Sequence, residues 1–158
     1  MRRLLLTALF LFSLCSSAHA GELAGLFPET VGALPRVELI AGPDAQAEVD
    51  KLHGKALAAE ASAIARYAVP DSRPAEVWVS RVSSEAEARR QTGQMVHKMF
   101  ENPKSPFKNP AREDHDGLAV YRFDGMGQVH LIWFSGDLVW WVSCAPADKT
   151  PFLDAFAR

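Results

Sequence analysis

Two cysteines, Cys15 and Cys144, are all that the 158 residues contain. A fold stapled by disulfides is therefore excluded, and no C-x-x-C-H is present to attach a haem covalently. There is no basic excess either. Lys and Arg number 17 against 19 Asp and Glu, a formal net charge of −2, whereas a general nucleic-acid binder shows the opposite balance. No apolar run approaches the roughly 20 residues of a membrane-spanning helix. A G-x-S-x-G nucleophile turn, EF-hand spacing and internal repeats are also missing. What remains is 48% hydrophobic, 23% charged and 9% aromatic, the make-up of one soluble domain able to bury a core without staples.

The first residues follow a different logic from the rest. Arg2 and Arg3 precede an apolar stretch from Leu4 to Leu14, and Ala18-His19-Ala20 supplies small residues at both positions a signal peptidase reads. Residues 1–20 are expected to be a signal peptide cleaved before Gly21. Leu14 before Cys15 disfavours a lipid anchor there. The mature chain then holds Cys144 alone, on an apolar strand where a thiol behaves as a small hydrophobe. Export, periplasmic or secreted, is the expected destination.

Residues 21–36 hold two prolines and three glycines and read as an irregular lead-in, with Leu23, Leu26 and Phe27 docking onto a single domain over 37–158. Val37 to Ile40 reads as a strand. Asp44 is placed to cap a helix through about His53, with Ala47, Val49 and Leu52 inward and Gly54 as its stop. Residues 55–63 fit helix or strand. Ile64 to Val69 and Ala75 to Val82 read as a hairpin around Pro70–Pro74. Ser84 and Glu87 form a capping box, after which Ala88, Thr92, Met95, Val96 and Met99 recur on one helical face. Residues 102–116, with three prolines and no periodicity, read as a long loop.

The last third reads as three strands, Leu118 to Phe123, Gln128 to Phe134 and Leu138 to Cys144, followed by a helix opened by Thr150-Pro151. The order β-α-β-β-α-β plus two strands and a helix predicts an α+β fold. Its expected form is a ferredoxin-like split βαβ with a C-terminal antiparallel meander and a final short helix.

Hairpin registry assigns the faces of that meander. With Gly136-Asp137 as a two-residue turn, Phe134 pairs with Val139, Trp133 with Trp140 and Ile132 with Trp141. With Phe123 opposite Gln128, Tyr121 pairs with His130. One face carries Val120, Val129, Leu131, Trp133, Trp140, Val142 and Cys144. The other carries Tyr121, Phe123, His130, Ile132, Phe134, Val139, Trp141 and Ser143. Both faces are rich in large apolar groups, so both need cover. The main helices belong on one face, leaving the other to the lead-in and last helix, a second subunit or a ligand.

Tyr121, His130 and Ser143 form a candidate polar row flanked by Trp141 and Phe134. It offers a ligand-binding surface, or an imidazole that titrates near neutral pH. No carboxylate orients that imidazole. Glu113-Asp114-His115-Asp116 collects oxygen and nitrogen donors a divalent metal accepts, but reads first as a solvated charged loop. Met95, His97 and Met99 cannot converge on copper, because His97 leaves the helix on the opposite side. Arg89-Arg90, and Lys104, Lys108 and Arg112, are too sparse for a phosphate patch.

The segment Phe27-Pro28-Glu29-Thr30-Val31-Gly32-Ala33-Leu34-Pro35-Arg36 resembles the Leu-Pro-x-x-x-Gly-Gly-Leu-x-Arg opening of a group of uncharacterised exported bacterial proteins. Their remaining chain is similarly an α+β mixture with a Gly-turned hairpin near its end. Phe27 replaces the Leu and Ala33 the second Gly. The resemblance covers about ten residues and implies export, not an activity.

These readings favour a non-catalytic binding or accessory module using an aromatic-rich sheet face. It requires no cofactor or metal, and its partner is an unknown protein, a small apolar ligand or a second copy in a homodimer. The alternative is a small hydrolase-like or metal-dependent enzyme using His130 or the acidic segment 113–116.

Overall fold

The computed structural model describes residues 21–54 and 56–158; the expected signal peptide, with Cys15, lies outside them. The described residues form one antiparallel sheet of eight strands in the order β1-β2-β3-β4-β8-β7-β6-β5. The strands are β1 (Thr30–Val31), β2 (Leu34–Ala41), β3 (Ala61–Tyr67), β4 (Ala75–Arg81), β5 (Lys108–His115), β6 (Leu118–Gly125), β7 (Gln128–Ser135) and β8 (Leu138–Cys144). Three helices pack on them: α1 (Pro43–His53), α2 (Glu85–Glu101) and α3 (Lys149–Phe156). Residues 21–24 form a further helical turn. The fold is α+β. Among the described residues no helix is long and apolar enough to cross a membrane.

The strand order differs from a split βαβ. There the strand after a crossover helix lies beyond an intervening strand. Here α1 joins β2 to its immediate antiparallel neighbour β3, and α2 carries the chain from β4 to the far edge at β5. The meander β5-β6-β7-β8 then returns until β8 pairs with β4.

That far edge is the main departure from the sequence reading. Residues 108–115, expected as loop, are the edge strand β5, joined to β6 by the two-residue turn Asp116-Gly117 with φ of 51° and 83°. Left-handed backbone at both positions is what a tight hairpin demands, and Asp-Gly is among its strongest signals. The strand escapes an apolar pattern because it is an edge. Pro110, Lys108, Arg112, Glu113 and Asp114, with a bulge between Lys108 and Ala111, leave little for another chain to pair with.

The lead-in is likewise not irregular. β1 and β2 form a small hairpin around Gly32, and the expected boundary at 36/37 falls inside β2. Leu23 and Phe27 are buried as expected, whereas Leu26 is exposed. Helix α1 starts at Pro43 with Gly42 rather than Asp44 at its cap position, buries Ala45 and Val49, and ends on left-handed Gly54. Ala47 is exposed, because Ala45 and Val49, four apart, define the inner face, and Leu52, expected inward, is exposed near the helix end. In α2, Ser84 accepts from the Glu87 N–H at 3.2 Å. Asp148, not Thr150, precedes α3, with no side-chain cap bond.

Each sheet face is covered from within the chain. On one, Phe27 and Phe156 pack against Trp140, which stacks on Trp133 at 5.7 Å, while Tyr67 and Phe152 pack against Phe156. On the other, Ser62 of β3 donates to Gln46 of α1 at 2.7 Å, while Met95, Val96 and Met99 of α2 pack on Phe123, Ile132 and Trp141. The face bearing Tyr121, Phe123 and Trp141, which the sequence left to the lead-in and last helix, a second subunit or a ligand, is packed by α2, while the lead-in and last helix pack on the other face.

Candidate functional site

Strand pairing sets two neighbouring rungs on the face beneath α1 and α2. Glu76, Ser143, His130 and Phe123 lie side by side across β4, β8, β7 and β6; the next rung is Trp78, Trp141, Ile132 and Tyr121. The β7–β8 pairs are those expected. In the β6–β7 hairpin the turn is Met126-Gly127, so His130 faces Phe123 and Tyr121 faces Ile132. Tyr121 therefore stands one rung away from His130 and Ser143. The shift is two residues, which preserves every residue's face.

Of the five candidate residues, His130, Ser143 and Trp141 line one cleft. Tyr121 packs with Phe123, Ile132 and Met99, and Phe134 lies beneath α2 with the Arg89 guanidinium 5.6 Å from its ring centre. The cleft runs between the C-terminal end of α1 and the side of α2, over Trp78 and Trp141. Those two indoles and Leu52 belong to both of its compartments. One compartment, about 250 Å³, adds Arg73, Glu76, Phe107, Gln128, His130 and Ser143. The other, about 100 Å³, adds His53, Ser80, Gln94, Met95 and Lys98.

Close contacts build the polar compartment. Gln128 Nε2 donates to the Pro74 carbonyl at 3.0 Å, and Arg73 donates to the Met126 carbonyl. These bonds tie the link before β4 to the β6–β7 turn. A Cβ at Gly125 would lie 2.9 Å from the Pro106 carbonyl oxygen. Glycine at 125 thus admits the segment that seats Phe107, whose ring lies 4.8 Å from His130 and 5.9 Å from Trp141.

His130 is 3% exposed and bonded at both nitrogens. Nε2 lies 3.1 Å from the Gly125 carbonyl, which can only accept, and Nδ1 receives the Trp141 indole N–H at 3.4 Å. The ring is therefore neutral with its proton on Nε2. Burial, with a contribution from Arg73, holds its pKa below the ordinary value, against the Gly125 bond and Asp124. Both nitrogens are thus engaged within the protein. Glu76 is engaged as well, by Arg66 Nε at 2.9 Å and Trp78 Nε1 at 3.2 Å.

The acidic segment disperses. Glu113 pairs with Lys149 at 2.7 Å, Asp114 accepts from the Gly117 N–H at 3.0 Å, His115 meets Asp154 at 3.3 Å, and Asp116 forms the turn. Among the described residues no group of three or more His, Cys, Asp or Glu is arranged to hold a metal ion. Cys144 is fully buried, and burial pushes its thiol up to about 12.

Comparison with protein-family models, curated proteins and solved structures found no match. The cleft's chemistry must speak for itself. Trp78, Arg73, Phe107 and Leu52 carry no individual signal in the sequence, because their convergence depends on the β4–β8 pairing. The aromatic Val77-Trp78-Val79 run in β4 is the available hint.

Proposed function

We propose that this protein is an exported, non-catalytic binding module whose site is the cleft over Trp78 and Trp141. The observation that carries the reading is the indole floor shared by two adjacent compartments, with convergent polar groups at one end. The larger, at about 250 Å³, lies just below the roughly 300–1,000 Å³ range of small-molecule pockets. The double engagement of His130 supports binding over acid–base catalysis. The N-terminal basic and apolar pattern supports export, periplasmic or secreted, with Gly21 as the mature first residue.

Ligand-observed NMR against small apolar compounds of matched size, neutral, cationic and anionic, tests the site. Binding lost in Trp78→Ala and Trp141→Ala, with circular dichroism preserved, supports it. An absence of binders, or binding that survives both substitutions, contradicts it. Intact-mass measurement of protein recovered outside the cytoplasm tests export, and a mass retaining residues 1–20 contradicts cleavage before Gly21.

A further inference from the structure

The smaller compartment has an unbalanced charge. Its ionisable lining groups are His53 and Lys98, with no Asp or Glu. Lys98 has no carboxylate partner among the described residues, as is also true of Lys51, Lys104 and Lys108; what sets it apart is its place in the lining of this compartment. Gln94 precedes Lys98 by four residues on α2, so the two side chains are neighbours on one helix face. Both line the compartment and are exposed to solvent. The other walls are Val49, Leu52, Trp78, Met95 and Trp141.

An ammonium and an amide donor beside an indole floor match a ligand with one anionic end and an apolar body. We propose that the cleft takes a small amphipathic carboxylate, its apolar body over Trp78 and Trp141 and its carboxylate oxygens at Lys98 and Gln94. Arg73 at the opposite end is the weaker anchor. One of its donors is spent on the Met126 carbonyl, and Glu76 shares its compartment. The inference rests on the cleft being a binding site and specifies what enters it.

The test uses a matched pair of probes, 4-phenylbutyrate and 4-phenylbutanol, titrated into the mature protein by calorimetry at neutral pH and low salt. The carboxylate is expected to bind at least tenfold more tightly. Lys98→Gln, an exposed substitution, should reduce carboxylate affinity to that of the alcohol and leave the alcohol unchanged, while Lys104→Gln, an exposed lysine outside the cleft, preserves the preference. Equal affinities for the two probes, or a preference that survives Lys98→Gln, overturn the carboxylate assignment and leave the binding reading standing. No binding of either probe overturns both.

Discussion

Trp78 and Trp141 stand directly opposite each other on β4 and β8, yet their indole N–H groups are committed to different partners. Trp78 donates to Glu76 at 3.2 Å and Trp141 to His130 at 3.4 Å. Each bond holds an indole against its own sheet neighbours and leaves the ring to serve as floor. The cleft is thus built by the sheet and roofed by helices.

The bond from Trp141 predicts the protonation state of His130. Its folded pKa is lowered, so between the ordinary imidazole value of about 6.5 and the folded value the unfolded chain binds more protons. Stability is therefore full above that window and falls as pH drops through it. Chemical denaturation at pH 7 and pH 5 should show a smaller loss in His130→Gln than in the parent. Nitrogen NMR should report a bare Nδ1 at neutral pH, and a charged ring at pH 7 would contradict the assignment.

Gly125→Ala should disturb the site without touching a side chain in it. The added methyl meets the Pro106 carbonyl, and relieving that overlap moves Phe107 off His130 at a cost of about 1–3 kcal/mol. The check is the His130 ring-proton shift alongside a urea melt. An unchanged shift and midpoint would mean that Gly125 does not set the Phe107 seat.

The edge hairpin makes a separate prediction. Gly117 has φ of 83°, and a methyl added there would meet no heavy atom within 4 Å, so substitution costs conformational strain alone. Gly117→Ala should lower stability by about 1–2 kcal/mol. A neutral result in denaturant titration would contradict the Asp116-Gly117 turn.

Cys144 should label slowly with a thiol reagent in native buffer and rapidly in denaturant, since burial holds its thiol up at about 12. Rapid native labelling would place it at an accessible surface.

How much of this was legible in the sequence depended on turns. Gly136-Asp137 sets the β7–β8 pairs correctly because a two-residue turn leaves one register. Asp124 to Gly127 reads as the whole connection, but Asp124 and Gly125 belong to the ladder, so the rung moves by two and the faces survive. β5 escapes a pattern search because apolar alternation is absent from an edge built of charge, proline and a bulge, although Asp116-Gly117 announces it. In the site, His130, Ser143 and Trp141 come from strand parity alone. Trp78 and Lys98 need strand order and the path of α2, which no local pattern encodes.

The central claim is that ligands sit on the Trp78–Trp141 floor, and Trp133, which lines neither compartment, provides the control. Trp133 and Trp140 stack on the opposite face. Protein labelled with nitrogen-15 at the indoles should show the Trp78 and Trp141 signals shifting together as 4-phenylbutyrate is added, with Trp133 unmoved. Shifts at Trp133 without Trp78 and Trp141, or no shift at any of the four, would contradict the account.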